Sequence, residues 1–230
     1  MNFPPISNLI SFEGKFVAVT GACSDIGQRT AMRFAESGAR VILLDSDEDE
    51  LSRLSDKIIA QGYRAHGHPL DITDLDRIRD VADHIDREHG HLDVWCTVAN
   101  IFPCAPVLEM DGTSFQRMVD LNLKGTFFCA QQAARVMIEA GTGGTIINVI
   151  APAQRKTSTH QGSYLSTKGA MHGFTRALAV ELAERNIRVL AVDPTLEHVS
   201  SPDEVARLVF FAASDLATIM SGSSLQTASF

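Results

Sequence analysis

The segment SYLSTKGAMHGFTRALAVELA, residues 163–183, carries a phenol and an ammonium at a spacing that supports proton transfer. Tyr164 and Lys168 are four residues apart, so a helix places both side chains on one face. Because a nearby ammonium favours the phenolate, we expect Lys168 to lower the pKa of Tyr164 from its ordinary value of about 10. Such a pair can act as general acid or base toward a substrate oxygen.

A second candidate site is the turn TGACSDIG, residues 20–27, which follows the apolar run KFVAVTG. Gly21 can take backbone angles closed to other residues, and Gly27 lets a helix approach the sheet closely. The free N–H groups at the start of that helix would then face a pyrophosphate. The residues predicted to bind this part of a dinucleotide are Gly21, Ser24, Asp25, Ile26 and Gly27.

Two aspartates follow later apolar runs. Asp45 ends RVILLD, 24 residues after Gly21; a carboxylate there can accept hydrogen bonds from an adenosine ribose and would repel a 2′-phosphate. The turn holds no Arg or Lys to offset that repulsion, so NAD is favoured over NADP. Asp71, in PLDIT, would bind the adenine amino group. Alternatively, each aspartate caps the helix that follows it.

These residues must be positioned by a chain in which short apolar runs alternate with helical periods. Strands are predicted over 15–21, 40–45, 63–69, 92–99, 144–150, 187–193 and 224–228. Helices are predicted over 25–38, 47–62, 74–89, 111–140, 161–185 and 203–213. Strands that are apolar throughout and alternate with helices indicate an α/β fold, a doubly wound parallel sheet covered on both faces. We predict one domain over 1–230, with 1–12 as an N-terminal extension.

The composition excludes several classes of partner. Of the 230 residues, 45% are hydrophobic and 21% charged, as in soluble globular proteins. The formal net charge of −8 argues against nucleic acid and anionic membrane surfaces. No apolar run approaches the ~20 residues of a membrane span. The first residues show no targeting signal, so a cytoplasmic location is predicted.

The cysteines and histidines give no metal-site pattern. We expect free thiols in a reducing compartment, because no CxxC spacing occurs. The four cysteines are Cys23, Cys96, Cys104 and Cys129. The histidine pairs His66/His68 and His89/His91 lie on charged, loop-like stretches, and no metal is predicted there.

The order of TGACSDIG, Asp45, Asp71, Asn122 in VDLNLKG, YLSTK and IRVLAVDP resembles the short-chain dehydrogenase/reductase family, in its classical branch. The resemblance runs from about Phe12 to Ser214. It implies a three-layer Rossmann-type fold with a sheet of about seven strands. It also implies an enzyme that transfers hydride between a nicotinamide cofactor and an alcohol or carbonyl substrate. It also implies a homodimer or homotetramer built on the two long helices.

The resemblance further implies roles for individual residues. Tyr164 would be the general acid or base, Lys168 would hold the ribose as well, and Asn122 would place a water for proton relay. Further cofactor contacts are implied at Ala99, Asn100, Tyr164, Lys168 and Pro194.

The chain departs from the family pattern at several of these places. Asp25 replaces the middle glycine of the turn, where we expect it to cap the helix and bring negative charge near the pyrophosphate. Where the family has NNAG, this chain has TVAN (97–100), and where the family has PGxxxT it has PTLEHV (194–199). The segment before residue 202, which in the family closes over the substrate, is short here, and the family's DGG after the last strand is missing.

The largest departure is Ala151, which stands where the family has its catalytic serine, thirteen residues before Tyr164. Losing one hydrogen-bond donor to a reacting oxygen costs about 10²–10³ in rate. Candidate replacement hydroxyls are those of Ser158, Thr159 and Ser163. Two functions stay open: an NAD(H)-dependent oxidoreductase with an impaired site, or a catalytically inactive binding or scaffolding protein in which Tyr164 and Lys168 are an inherited pair.

The helical segments 121–140 and 164–183 carry more apolar residues than one sheet-facing stripe needs. These are Phe127, Phe128, Ala133, Val136 and Met137 on the first, and Met171, Phe174, Leu178 and Leu182 on the second. A symmetric pairing with a second copy would bury the surplus face, so at least a homodimer is predicted. Alternatively, the sheet and loops of one chain cover these side chains.

Overall fold

Seven parallel strands form one sheet in the computed structural model, which describes residues 3–103, 105–150, 160, 162–194 and 201–226. The strands are β1 (Phe16–Thr20), β2 (Arg40–Asp45), β3 (Arg64–Pro69), β4 (Val94–Thr97), β5 (Gly144–Val149), β6 (Ile187–Asp193) and β7 (Ser224–Gln226). Their order in the sheet is β3-β2-β1-β4-β5-β6-β7. The predicted doubly wound α/β fold is confirmed.

Eight α-helices lie within the described residues; the first precedes β1, and the other seven connect the strands. They are α1 (Ile6–Leu9), α2 (Asp25–Glu36), α3 (Glu48–Ala60), α4 (Leu75–His89), α5 (Gly112–Val119), α6 (Thr126–Ala140), α7 (Gly162–Leu182) and α8 (Pro202–Ala213). Helices α2, α3 and α8 contribute to the core on one face of the sheet. The core on the other face draws on α4, α6 and α7. The carboxyl ends of the strands therefore share one edge, where a ligand can reach residues from several loops.

The strands differ in burial according to their place in the sheet. Every residue of the central strands β1 and β4 is buried. The edge strand β3, RAHGHP, is only partly buried and carries Arg64, His66 and His68. The expectation that strands are apolar throughout is therefore wrong for β3, because an edge strand tolerates polar side chains.

The long helix predicted over 111–140 is present from Gly112 to Ala140, but it is not α-helical throughout. Between α5 and α6, residues Asp120–Gly125 form a π-helical segment. Gly125 permits close packing there, since a Cβ at this position would lie 2.5 Å from the Ile72 carbonyl oxygen. Every residue in the segment is compatible with an α-helix, so the sequence periodicity gave no sign of the change. Such π-bulges are frequent at functional sites.

The N-terminal segment meets the core at Phe12. Phe12 is 5% exposed, and its ring centroid lies 4.9 Å from that of Phe34 and 5.2 Å from that of Phe210. The division into one domain with an N-terminal extension stays a prediction. Within the described part of the chain, no helix has both the length and the apolar character needed to span a membrane.

Three of the histidines pack against one another beside the edge strand β3. The rings of His66 and His84 flank His68 at 4.5 and 4.7 Å between centroids. Burial, with repulsion from neighbouring histidines, lowers the pKa of His68 to about 4. No three potential ligands among the described residues are grouped to hold a metal ion. Cys23, Cys96 and Cys129 are free thiols, and Cys104 lies outside the described residues.

Candidate active site

The turn after β1 is built so tightly that two positions require glycine. Gly21 has φ of 65°, and a Cβ on it would lie 2.6 Å from the Ala99 Cα. A Cβ on Gly27 would collide with the Gly21 carbonyl oxygen. Helix α2 therefore begins directly against the turn, and the loop after β4 packs against the same turn.

Ser24 caps helix α2. Its Oγ accepts a hydrogen bond from Gly27 N at 3.1 Å and donates one to the Gly21 carbonyl oxygen at 2.7 Å. The expectation that Asp25 is the cap is wrong: Asp25 is the first helical residue, because the serine one position earlier already satisfies the helix end. No group in the described residues accepts a hydrogen bond from the N–H of Asp25 or Ile26. These two donors fit a dinucleotide pyrophosphate.

Asp45 lies across from this turn at the end of β2. Its Oδ2 accepts a hydrogen bond from Cys23 N at 2.9 Å, and its Oδ1 accepts one from Asp47 N at 3.3 Å. The cap of α3 is Asp47, which accepts from Glu50 N at 3.0 Å, so Asp45 does not cap that helix. Burial and then the charges of Asp45, Asp47 and Glu50 raise the pKa of Cys23 to about 12. The turn thus lies in a negative field.

Asp71, after β3, also does not cap a helix. Its Oδ1 accepts from both the N–H and the hydroxyl of Thr73, each at 2.8 Å. The cap of α4 is Asp74, which accepts from Asp76 N and Arg77 N. Asp71 lies exposed at the same edge of the sheet as the glycine turn. Its contact with adenine stays a prediction.

The structure brings Tyr164 and Lys168 together on α7. Tyr164 is 1% exposed and Lys168 7% exposed, and the Lys168 Nζ lies 4.9 Å from the Tyr164 ring centroid. Phe102, from the loop after β4, meets the Tyr164 ring edge-on at 4.5 Å between centroids. The predicted sharing of one helix face is therefore present.

Burial sets the protonation of this pair. It raises the pKa of Tyr164, and the negative charge of Asp193 raises it further. The expectation that Lys168 lowers this pKa is wrong, because the cost of burying a phenolate outweighs any attraction to the ammonium. Burial lowers the pKa of Lys168 to about 8, while Asp193 acts in the opposite direction. Burial therefore favours the neutral phenol of Tyr164, and the charge of Asp193 favours the ammonium form of Lys168.

Asn122 lies in the π-helical segment and is 2% exposed. Its Oδ1 accepts from Ile101 N, and its Nδ2 donates to the Ile101 carbonyl oxygen, both at 2.8 Å. The side chain thus fixes the loop after β4, in which the Asn100 side chain donates to the Val98 carbonyl oxygen at 3.2 Å. Placement of a water by Asn122 stays a prediction.

Several predicted positions fall on or next to undescribed segments. Ala151, Pro152, Ser158, Thr159 and the segment 195–199 lie outside the described residues. Pro194 is buried directly after β6. Ser163, on α7 beside Tyr164, has a buried Oγ with no hydrogen-bond partner in the described part of the chain. Of the three candidate replacement hydroxyls, it is the one whose position the structure gives.

Sequence reasoning missed two residues at this site. Asp193 ends β6, and its Oδ2 lies 3.3 Å from the Nε2 of His172 on α7. The available signals were a carboxylate at the carboxyl end of a core strand and a histidine four residues after Lys168.

Comparison with known proteins agrees with this geometry. The profile of the short chain dehydrogenase family matches residues 15–202. The chain is 30% identical to the 3-oxoacyl-(acyl-carrier-protein) reductase FabG of Thermotoga maritima, over 91% of this chain and 94% of that protein. It is 35% identical to galactitol 2-dehydrogenase of Agrobacterium fabrum, over 78% of this chain and 69% of that protein.

A solved short-chain type dehydrogenase/reductase from Mycobacterium marinum superposes with a TM-score of 0.90 at 31% identity, covering 97% of each chain. The family match spans most of the chain, and the solved structure shares the whole fold. The chain belongs to the short-chain dehydrogenase family.

Proposed function

We propose that the chain is an NAD(H)-dependent oxidoreductase that interconverts an alcohol and a carbonyl compound in the cytoplasm, with a site slowed by the lack of the usual serine. The observation that carries the proposal is the placement of Tyr164 against Lys168 on α7, at the strand edge that also holds the glycine turn. Two of the relatives are named as a reductase of 3-oxoacyl groups and a dehydrogenase of galactitol, which supports a small carbonyl or hydroxyl substrate.

The residues of the chain would divide the work as follows. A bound nicotinamide supplies the hydride acceptor or donor. In carbonyl reduction Tyr164 gives its phenolic proton to the substrate oxygen, and in alcohol oxidation it takes that proton back. The Lys168 ammonium offsets the negative charge left on Tyr164 after donation. Asn122 holds the loop after β4, which places Phe102 against the tyrosine ring.

Burial of Tyr164 makes the two directions of the reaction depend differently on pH. The raised pKa of Tyr164 keeps the phenol protonated, as carbonyl reduction requires. Alcohol oxidation requires the phenolate and is therefore expected to be faster at alkaline pH. Without a serine hydroxyl, the substrate oxygen has one donor fewer, so turnover is expected to be slow in both directions.

The cofactor preference is the first test. We expect NADH to bind at least about tenfold more tightly than NADPH, because Asp45, Asp47 and Glu50 place negative charge around the turn where a 2′-phosphate would lie. Isothermal titration calorimetry with each cofactor measures this. Asp45→Ser should reduce the ratio of NADH affinity to NADPH affinity. Asp56→Ser, on the exposed side of α3, should leave that ratio unchanged. Equal or tighter binding of NADPH would contradict the proposal, and no binding of either would favour the scaffolding function.

Assembly is the second test. Of the apolar residues predicted to form a second face, Ala133, Val136, Met137 and Met171 are buried within one chain. The faces of α6 and α7 still expose Phe127 at 40% and Val180 at 78%. We propose that a second copy covers this remainder and that the protein is at least a homodimer.

Light scattering at micromolar concentration is expected to report at least twice the 25.0 kDa chain mass. Val180→Asp should shift the protein toward the monomer, since a buried unpaired carboxylate is strongly unfavourable. Ile59→Asp, on the exposed side of α3, is the matched control and should not. A monomer in the unaltered protein would refute the assembly.

A further inference from the structure

A carboxylate that the proposed reaction does not use ends β6, the strand on which α7 packs. Asp193 is fixed from two elements: His172 Nε2 on α7 lies 3.3 Å from its Oδ2, and Gln226 Nε2 on β7 donates to the same oxygen at 3.5 Å. The Asp193 side chain is 24% exposed and that of His172 is 36% exposed. Both side chains of this pair are therefore partly open to solvent, whereas Lys168 is buried.

The spacing along α7 places His172 on the same helix face as Tyr164 and Lys168. Tyr164, Lys168 and His172 follow one another at four-residue intervals, so they lie along one face of α7. Helix α7 packs on β6, whose last residue is Asp193. From the π-helical segment, which also packs on α7, the charged residues Asp120 and Lys124 pair with each other at 3.6 Å. Asp193 is thus the carboxylate that acts on both members of the pair.

We propose that Asp193 is a positioning residue, whose carboxylate, held by His172 and Gln226, keeps the buried Lys168 charged and so keeps the site in its proton-donating form. The inference rests on the proposed function, in which Lys168 assists Tyr164. A lysine that is 7% exposed tends toward the neutral amine, because burial disfavours the ammonium. The negative charge of Asp193 opposes that tendency.

The same charge acts on Tyr164 with a matching sign. Asp193 raises the pKa of the phenol and raises the pKa of the ammonium, so both groups hold their protons to higher pH. Burial raises the pKa of Asp193, while His172, Gln226 and Lys168 act in the opposite direction and favour its ionised form. Removing the carboxylate should therefore make both Tyr164 and Lys168 lose their protons at lower pH.

The Lys168 side chain can be titrated without substrate or cofactor. The chain has five lysines, at positions 15, 57, 124, 156 and 168. Lysine labelled with ¹³C at Cε therefore gives five NMR signals, and loss of one in Lys168→Arg assigns the relevant signal. We expect a midpoint near pH 8 in the unaltered protein, and a midpoint lower by on the order of one pH unit in Asp193→Asn.

Matched variants separate this effect from a general one. Asp193→Glu keeps the carboxylate, so the Lys168 midpoint should stay close to that of the unaltered protein. Glu181→Gln removes one negative charge from the exposed far end of α7 and should leave the midpoint unchanged. Asp193→Ser replaces Asp193→Asn if circular dichroism shows that the latter does not fold. A Lys168 midpoint that stays within about 0.2 pH unit on removal of the carboxylate overturns the proposal.

A second readout connects the inference to catalysis. The alkaline limb of the pH profile for NADH-dependent carbonyl reduction should move to lower pH in Asp193→Asn, with Glu181→Gln again unchanged. A limb that stays in place although the Lys168 midpoint falls would overturn the role of Asp193 in the reaction. No carbonyl reduction in the unaltered protein would contradict the proposed function, while the NMR midpoint still decides whether Asp193 keeps Lys168 charged.

Discussion

Tyr164→Phe is expected to lower turnover by about 10²–10⁴-fold, the usual contribution of a positioned general acid or base. Phenylalanine keeps the ring that packs against Phe102 and Met118 and removes only the hydroxyl, so the fold should be retained. The measurement is the turnover number for NADH-dependent reduction of a 3-oxoacyl thioester and for NAD-dependent oxidation of galactitol, two substrate classes suggested by the relatives.

The chain offers a matched control for this variant. It has two tyrosines, and the other, Tyr63, lies half-buried directly before β3. Tyr63→Phe should retain full turnover. NADH binding to Tyr164→Phe, measured by calorimetry, should change little, because the loss lies in proton transfer. Turnover equal to that of the unaltered protein would remove Tyr164 from the reaction.

The layout of the fold was predictable because each part of it depends on local patterns. Apolar runs such as FVAVT and RVILLD can be buried only as strands covered on both faces, and the helices between them enforce parallel pairing. The glycine turn was predictable for the same reason, since Gly21 and Gly27 stand where a side chain would meet backbone atoms. The strand over 63–69 was predicted, but its polar, partly buried character at the edge of the sheet was not. The π-helical segment was missed, and both features depend on what packs beside them.

At the site, the pairing of Tyr164 with Lys168 was predictable from their spacing, but their protonation was not. Spacing on a helix determines which side chains share a face, whereas a pKa depends on burial, which comes from the whole fold. The same limit explains Asp25: an aspartate suits a helix cap, but Ser24 stands one position earlier and forms the cap instead. Asp193 was missed because its importance follows from where β6 ends relative to α7.

The serine position provides the second large effect. Ala151→Ser is expected to raise turnover by about 10–10³-fold, since one added donor to a developing oxyanion contributes up to about 4 kcal/mol. The gain should appear in the turnover number more than in NADH binding, because the hydroxyl would act on the substrate oxygen. Steady-state kinetics with the 3-oxoacyl thioester measures it.

A double variant shows whether the gain runs through the tyrosine. Ala151→Ser combined with Tyr164→Phe should be no faster than Tyr164→Phe alone, because a second donor cannot replace the proton that Tyr164 supplies.

Ser163→Ala serves as the companion test. The buried Oγ of Ser163 has no partner among the described residues, so this hydroxyl could already act as the second donor to the substrate oxygen. If Ala151→Ser brings no gain and Ser163→Ala abolishes turnover, Ser163 is the second donor and the site is complete by another route. If neither variant changes turnover, the serine position does not limit the reaction, and the slowed-site proposal is wrong.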